Sequence, residues 1–446
     1  MKKIAIIGSG VSGLGCAYAL RHQCHLTVFE ASGSLGGHAN TVDVRLDHKN
    51  FGVDTGFLVY NERTYPHLIR LFEELKVKVV ASEMSFSISR RDVDREWCGS
   101  SLFSLLAQPS NALSPRFWSM VKDILRFNKE ATALAHLEQT GDVTDSRQAA
   151  FNEPLSQYLK RMHYGKAFSQ DYLLPMAAAI WSCPISTMAS FPMGSFVRFF
   201  HNHGLLQVTN RPQWFTCEGG SRHYVRALTN ALTALGHYVR TNTPVLQVER
   251  SAGQINVRTR TGVERFDGVV MACHSDQALK LLQQPSALEQ EVLSAIGYQE
   301  NLAYLHCDRS LMPKRSKAWA AWNYICDQSP DESADARVSV TYWLNRLQPL
   351  PCQTDVFVSL NPISLPSEDS ILKKITYAHP VFDAEATLAQ AKIPSLQGRQ
   401  NTWYAGAWCG YGFHEDGLKS GIDAARRVQA QIYALSAAPA TQALAA

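Results

Sequence analysis

Residues Gly8-Ser9-Gly10-Val11-Ser12-Gly13 stand between the apolar run Ile4-Ala5-Ile6-Ile7 and a second apolar run, Leu26-Thr27-Val28-Phe29, that ends on Glu30. The segment from Lys3 to Ile7 is β-branched and too short for a helix, so it reads as a buried parallel strand. A tight turn has to follow. Gly8 permits that turn, Gly10 lets the backbone come close to a pyrophosphate, and Gly13 lets a helix from Val11 to about His22 lie against the strand. The N–H groups of Val11, Ser12 and Gly13 at the helix start then face the phosphates, where the helix dipole favours negative charge. Glu30, 17 positions beyond Gly13, falls where a carboxylate accepts both ribose hydroxyls of an adenosine and repels a 2′-phosphate. Glycines in an ordinary turn lack this strand, helix and acid, so the segment predicts a dinucleotide site. FAD and NAD both fit it.

The residues that follow separate the two. Ala31-Ser32-Gly33-Ser34-Leu35-Gly36-Gly37-His38-Ala39-Asn40 forms a second glycine-rich turn past the acid, and Phe51-Gly52-Val53-Asp54-Thr55-Gly56-Phe57 follows about ten residues later. A cofactor whose ribityl chain and isoalloxazine run on beyond the pyrophosphate needs this further close backbone approach. On these residues the chain resembles the flavin-containing amine oxidase superfamily, which includes monoamine and polyamine oxidases, protoporphyrinogen oxidase and phytoene-desaturase-like enzymes. Two distant blocks extend the resemblance. Cys217-Glu218-Gly219-Gly220-Ser221-Arg222, the helix after it and the run Thr243 to Val248, followed by Phe266 to Ala272, look like the superfamily's middle FAD block. Thr402 to Trp408 and Gly410 to Gly421 look like its last strand and the start of its last helix. The resemblance implies cofactor contacts from Gly8, Gly10, Val11, Ser12, Gly13, Glu30 and Ala31, then from Gly36, Gly37 and His38, and from Thr55, Gly56 and Phe57. It adds Val245 and Ala272 in the middle and Gly406, Glu415, Asp416, Gly417 and Leu418 at the end. It also implies an α/β architecture: a Rossmann-like FAD domain with an interleaved α+β substrate domain.

The FAD domain is expected over 1–80, 211–295 and 400–436, the substrate domain over 81–210 and 296–399, and a flexible tail over 437–446. In the first substrate segment, Ser85 to Ser89 and the turn near Asp92 to Arg95 predict a hairpin, with helices around Pro115 to Leu137, Pro154 to Met162 and Ser169 to Trp181. In the second, Leu302 to His306, Ala318 to Tyr324, Val338 to Trp343 and Asp355 to Leu360 alternate as strands do, predicting an antiparallel sheet that roofs the flavin.

Composition sets limits. A net charge of +4 on 446 residues gives nucleic-acid binding no electrostatic support. The ten cysteines include no CxxC pair and no cluster with metal-ligand spacing, which predicts reduced thiols in a cytoplasmic chain and no metal site. No apolar stretch reaches about 18 residues, so a transmembrane helix is not predicted. Phe196, Phe199 and Phe200 with Arg198, His201 and His203 suggest a rim for peripheral contact with the inner membrane face. The oligomeric state is left open.

Flavin N5 accepts a hydride, so the protein's tasks are position, exclusion of water and electrostatics. His414, three residues before Gly417, is the expected catalytic residue. The resemblance puts it where amine oxidases carry an aromatic residue over the flavin, and an imidazole there binds a polar group or moves a proton. The lysine that many amine oxidases place on the first strand of the second substrate segment is missing at Gln299-Glu300-Asn301-Leu302. Asp171 to Pro184 and Phe191 to Phe200 are rich in Met, Phe and Trp, as an apolar tunnel or an ordinary helical core would be. The GGHANTV, VDTGF and GFHEDGLKSG blocks resemble a bacterial branch of predicted NAD/FAD-binding proteins and the flavin domain of plant cyclopropane fatty acid synthases. The expectation is a FAD-dependent dehydrogenase, desaturase or oxidase acting on an apolar, lipid-type small molecule, with non-covalent FAD and an unidentified electron acceptor. The alternatives are an amine or amino-acid oxidase, and a non-enzymatic lipid-binding or escort protein resembling GDP-dissociation inhibitors.

Overall fold

The structure is a computed structural model that describes residues 1–99, 101–140, 151, 153–181, 185–202, 204–207, 211–251, 253–327 and 338–437. The expected tunnel residues Ser182, Cys183 and Pro184, the rim residue His203, and tail residues 438–446 lie outside them.

The first apolar run forms the central strand, Lys2–Ile7, of a five-stranded parallel sheet. The sheet order is Tyr238–Arg240, Cys24–Phe29, Lys2–Ile7, Gly268–Met271 and Thr402–Tyr404, so it is assembled from the two chain ends and the middle. Apart from the edge strand Tyr238–Arg240, these strands are largely buried. Their continuous apolar character follows from helices or sheet covering both faces. The helix Val11–Leu20 starts one residue past the glycine turn, and the terminal helix His414–Ala437 packs against it through small residues. A Cβ on Gly421 would lie 2.1 Å from Ser12 O, one on Gly417 2.9 Å from Val11 Cγ1, and one on Gly15 2.4 Å from Leu418 Cδ1. The two helices are therefore as close as their backbones allow.

A seven-stranded sheet runs Ile371–Pro380, Tyr298–His306, Phe357–Leu360, Val338–Trp343, Trp322–Cys326, Phe86–Arg90 and Arg95–Cys98. The hairpin expected near Ser85 is its far edge. The expectation of a purely antiparallel roof is corrected, because Phe86–Arg90 and Trp322–Cys326 pair in parallel. They belong to chain segments more than 200 residues apart, so no hairpin turn dictates their direction. The strand expected over Ala318 to Tyr324 moves to Trp322–Cys326, and the edge strand Ile371–Pro380 was not foreseen. Lys373 and Lys374 interrupt the alternation of that edge strand, which faces solvent along much of its length.

The helices around Pro115, Pro154 and Ser169 are present as Pro115–Thr140, Leu155–Arg161 and Leu174–Trp181, the last preceded by one π-helical turn, Ser169–Leu173. That turn buries Asp171, whose carboxylate accepts from Arg90 Nη1 at 2.7 Å, Arg95 Nη1 at 2.8 Å and Arg116 Nε at 3.0 Å. Asp171 therefore anchors three arginines and lines no apolar tunnel. Phe196, Phe199 and Phe200 are 0–2% exposed and pack on Trp181, which removes them from the proposed membrane rim. They form the centre of a helical core instead. Among the described residues no helix is long and apolar enough to cross a membrane.

Candidate functional site

The glycine turn is built as its spacing requires. Gly8 has φ +107, and a Cβ there would strike Ala272 O at 2.4 Å, while a Cβ on Gly13 would strike Gly8 O at 2.0 Å. Gly10 differs: a Cβ there meets nothing within 4 Å. Two glycines serve the packing of strand against helix, and the third borders open space beside a helix whose N-cap has no side-chain partner and whose first turn holds no acid. Uncapped N–H groups next to open space fit an anionic pyrophosphate. Glu30 lies just past the second strand. Its carboxylate accepts from Ser9 N at 3.1 Å, Ser9 Oγ at 2.6 Å and Ser32 N at 2.8 Å, which fixes it at the end of this cleft with lone pairs remaining.

The second glycine turn closes on the first. Gly36, at φ +109, donates to Ser9 O at 3.1 Å, and Gly37 lies on Gly10, with a Cβ position 3.3 Å from its Cα. His38 O accepts from Phe57 N at 2.7 Å and would be struck by a Cβ on Gly56 at 2.3 Å, so the GGH and DTGF segments form one unit. Thr55 bonds to Asn40 O and to the Tyr377 hydroxyl at 2.8 Å. Ala31 is exposed at the outer end. Val245 and Ala272 are buried in the sheet core, and Ala272 N donates to Ile7 O. Gly406 is covered by the Trp408 indole.

At the start of the terminal helix both acidic side chains are engaged within the protein. Glu415 accepts from His67 N at 2.8 Å, His67 Nδ1 at 2.7 Å and Leu68 N at 3.0 Å, holding the first turn of the helix Pro66–Leu75. Asp416 accepts from Phe413 N at 3.0 Å, and burial raises its carboxyl to about 6. Both carboxylates serve the protein, while Gly417 and Leu418 pack on the first helix; what these four positions retain for a cofactor is backbone. Cys409 is half-buried, and desolvation raises its thiol far above the ordinary range.

His414 stacks on Phe57 with ring centroids 3.9 Å apart and shares a 2.6 Å hydrogen bond between Nε2 and the Tyr224 hydroxyl. Burial pushes its imidazole down to about 3, so it is neutral at physiological pH. Three histidines not foreseen as a group join it. Burial is the main cause that disfavours the charged forms of His38, His274 and His379; His38 is lowered further by His379, His274 and His414, and His379 by His274. His38 falls to about 3 and His379 to about 4. His38 stacks on Tyr377 at 4.9 Å and lies 5.3 Å from His379, and its Nε2 is buried with no hydrogen-bond partner. His274 stacks on Tyr298 at 4.4 Å. His274 follows the sheet strand Gly268–Met271, and His38 and His414 sit in segments that follow two others, so the cluster occupies the crevice outside the carboxyl ends of the sheet. Among the described residues no group of three or more His, Cys, Asp or Glu side chains could hold a metal ion.

A Rossmann-like sheet with two interlocked glycine turns, an acid at the second strand and a helical and seven-stranded cover defines the two-domain fold of FAD-dependent amine oxidases. The chain matches the model of the flavin containing amine oxidoreductases over residues 11–351, and it belongs to that family. FAD is the cofactor the family implies, and the open space at Gly10, the fixed Glu30 and the orphaned His38 nitrogen fit it. The fold is similar to that of a CLA-producing fatty acid isomerase from P. acnes, 15% identical, covering 96% of this chain and 98% of that one at a TM-score of 0.66. It is also similar to cyclohexylamine oxidase from Brevibacterium oxydans IH-35A, 13% identical, covering 97% and 99% at a TM-score of 0.68. A 42-residue segment is 52% identical to mitochondrial protoporphyrinogen oxidase of Nicotiana tabacum, spanning 9% of this chain and 8% of that protein.

Proposed function

We propose that this protein is a FAD-dependent oxidoreductase that oxidises an uncharged, largely apolar small molecule by hydride transfer to non-covalently bound flavin. In this reading 1–80, 211–295 and 400–436 hold the cofactor, and 81–210 and 296–399 cover the substrate. Relatives of this fold carry names from both fatty acid and amine chemistry, so the reading rests on the walls of the crevice. The observation that carries it is the wall beside His414. Phe413, its neighbour, stacks on Phe199 at 4.7 Å and reaches Trp181, bringing the aromatic core to the crevice. The polar groups there are neutral histidines and tyrosines. Two carboxylates act on them: Asp276, on His274 and Tyr298, is paired with Lys280, and Asp54, on Tyr224 and Tyr377, is buried and takes hydrogen bonds from Thr41, Ser221 and Gln348. Such a wall offers a cation no partner and desolvates it, at a cost of several kcal/mol on the order given for an unpaired buried charge.

FAD, when bound, supplies the two-electron acceptor. The residues do the rest. Val11, Ser12 and Gly13 offer N–H groups to phosphate, Glu30 receives ribose hydroxyls, and the Phe413–Phe199–Trp181 wall excludes water. His414, neutral and fixed by Tyr224, orients a polar group of the substrate or takes a proton from it. Peripheral membrane contact has no support from the buried phenylalanines and does not enter this reading.

Anaerobic mixing of the FAD-loaded protein with extracted lipids and with an amine panel tests the substrate class. Bleaching of the flavin by a lipid fraction and by no amine is the expected result; bleaching by amines alone refutes the proposal. His414→Ala is expected to slow that bleaching at least about 100-fold, the lower range for a lost acid–base group, with the bound-flavin spectrum kept. Equal rates would remove His414 from the reaction.

A further inference from the structure

His379 has one ring nitrogen whose state is dictated by a chain of amides. The chain starts at a group that can only donate: Leu302 N–H gives to Asn361 Oδ1 at 2.9 Å. This leaves the Asn361 amide nitrogen as donor, and it gives to Asn301 Oδ1 at 2.7 Å. Asn301 Nδ2 then has only protons to offer, one to Gln299 O at 3.1 Å and one to His379 Nδ1 at 3.0 Å. Nδ1 must accept. A neutral imidazole that accepts at Nδ1 carries its proton on Nε2. Burial and His274 keep the ring neutral, so the second proton that would undo this arrangement is disfavoured.

Asn301 is fully buried, on the strand that pairs Asn301 with Tyr377 and Gln299 with His379. A buried asparagine with its acceptor and its two donor positions all used fixes a geometry that solvent would not. Among the described residues no hydrogen bond is recorded at His379 Nε2, and the ring lies 5.3 Å from His38, whose Nε2 is buried and also without a partner. Two imidazoles thus share one part of the crevice, and on one of them the position of the proton is set in advance.

We infer that His379 is a pre-set neutral donor whose Nε2–H binds an oxygen of the substrate, a hydroxyl or carbonyl, with Asn301 and Asn361 as the positioning residues that fix its tautomer. This rests on the proposed apolar substrate and adds that the substrate has an oxygen-bearing end. A cationic nitrogen has no lone pair to receive the proton, so the same donor discriminates against it.

Two measurements test it on the FAD-loaded protein. In 15N-histidine-labelled protein without ligand, His379 should show an unprotonated Nδ1 and a protonated Nε2, with Asn301→Asp moving the proton to Nδ1 or charging the ring. A wild-type His379 protonated at Nδ1 overturns the tautomer argument. Binding of 1-decanol and of decane is then followed by perturbation of the flavin spectrum. His379→Phe should weaken decanol about three- to tenfold, the worth of one net hydrogen bond, and leave decane unchanged, while His379→Gln, which keeps a donor, stays within about twofold of wild type. Equal loss for both probes marks a merely structural role and overturns the inference, as does decanol binding that the phenylalanine variant leaves untouched. A wild-type protein that binds neither probe overturns the apolar-substrate reading and this donor's place in it together, whatever the tautomer.

Discussion

Gly10 and Gly13, three positions apart, make opposite predictions. A methyl at Gly13 lands 2.0 Å from a carbonyl oxygen of the same turn, so Gly13→Ala must move the first helix off its strand, at a cost of about 1–3 kcal/mol or more as overpacking. A methyl at Gly10 touches no protein atom, and its backbone at φ −64 is open to any residue. Gly10→Ala should therefore leave the thermal midpoint of the apoprotein unchanged and weaken FAD binding at least about tenfold, because the methyl occupies phosphate space. Calorimetry of the apoproteins with FAD titration checks both; full FAD affinity in the Gly10 variant would place the phosphates elsewhere. The turn was legible in the sequence because its spacing is local. The histidine cluster was not, since His38, His274, His379 and His414 are dispersed over 377 positions and only the fold assembles them. One signal was present: His274 stands three residues beyond the end of a sheet strand, on the side where open α/β sheets bind ligands.

Among the elements, the parallel sheet could be read from short, uninterrupted apolar runs, while the helical block was misjudged in one respect. The periodic phenylalanines Phe196, Phe199 and Phe200 mark an apolar helix face, but periodicity does not say whether protein or lipid covers it, and here protein does. Asp171 was equally opaque, a charged residue in an apolar segment whose partners lie 55 to 81 positions away. It is 2% exposed and neutralises Arg90, itself 3% exposed, so the π-turn that carries it joins the helical block to the hairpin Phe86–Cys98 through a buried ion network. Asp171→Ala leaves Arg90 with Asp92 alone and strips Arg95 and Arg116 of their shared partner. A loss of about 3–5 kcal/mol is expected, as for a broken buried pair. Denaturant unfolding measures it, and a loss below about 1 kcal/mol would mean that water reaches the arginines and the network is peripheral.

At the scale of the molecule, six histidines among the described residues have their protonation suppressed, His38, His201, His274, His306, His379 and His414, and in each the first cause is burial. Four of them line the crevice between the two sheets. Their ordinary value is 6.5; in the fold His306 and His379 fall to about 4 and His38 and His414 to about 3. Below pH 6.5 the unfolded chain therefore takes up protons that the native state refuses, and stability falls as pH drops from 6.5 toward 4. Each such group contributes up to about 1.4 kcal/mol per pH unit. Two carboxyls oppose the trend, since burial raises Asp416 to about 6 and raises Asp54, so the native state holds extra protons there in the same range. Six groups against two leave a net loss. Glu289 does not confuse the window. Arg250 and Tyr404 hydrogen bonds outweigh its burial and hold it at about 2, so its stabilisation is intact above 4.5 and is lost progressively as pH falls from 4.5 through 2, below the interval from 6.5 to 4.5. The thermal midpoint should thus drop steadily between pH 6.5 and 4.5, with FAD released in step because the protonating side chains surround its crevice. A midpoint that holds or rises across that interval would show that the histidines charge without unfolding the protein, and a crevice able to hold positive charge would favour a different substrate from the one proposed.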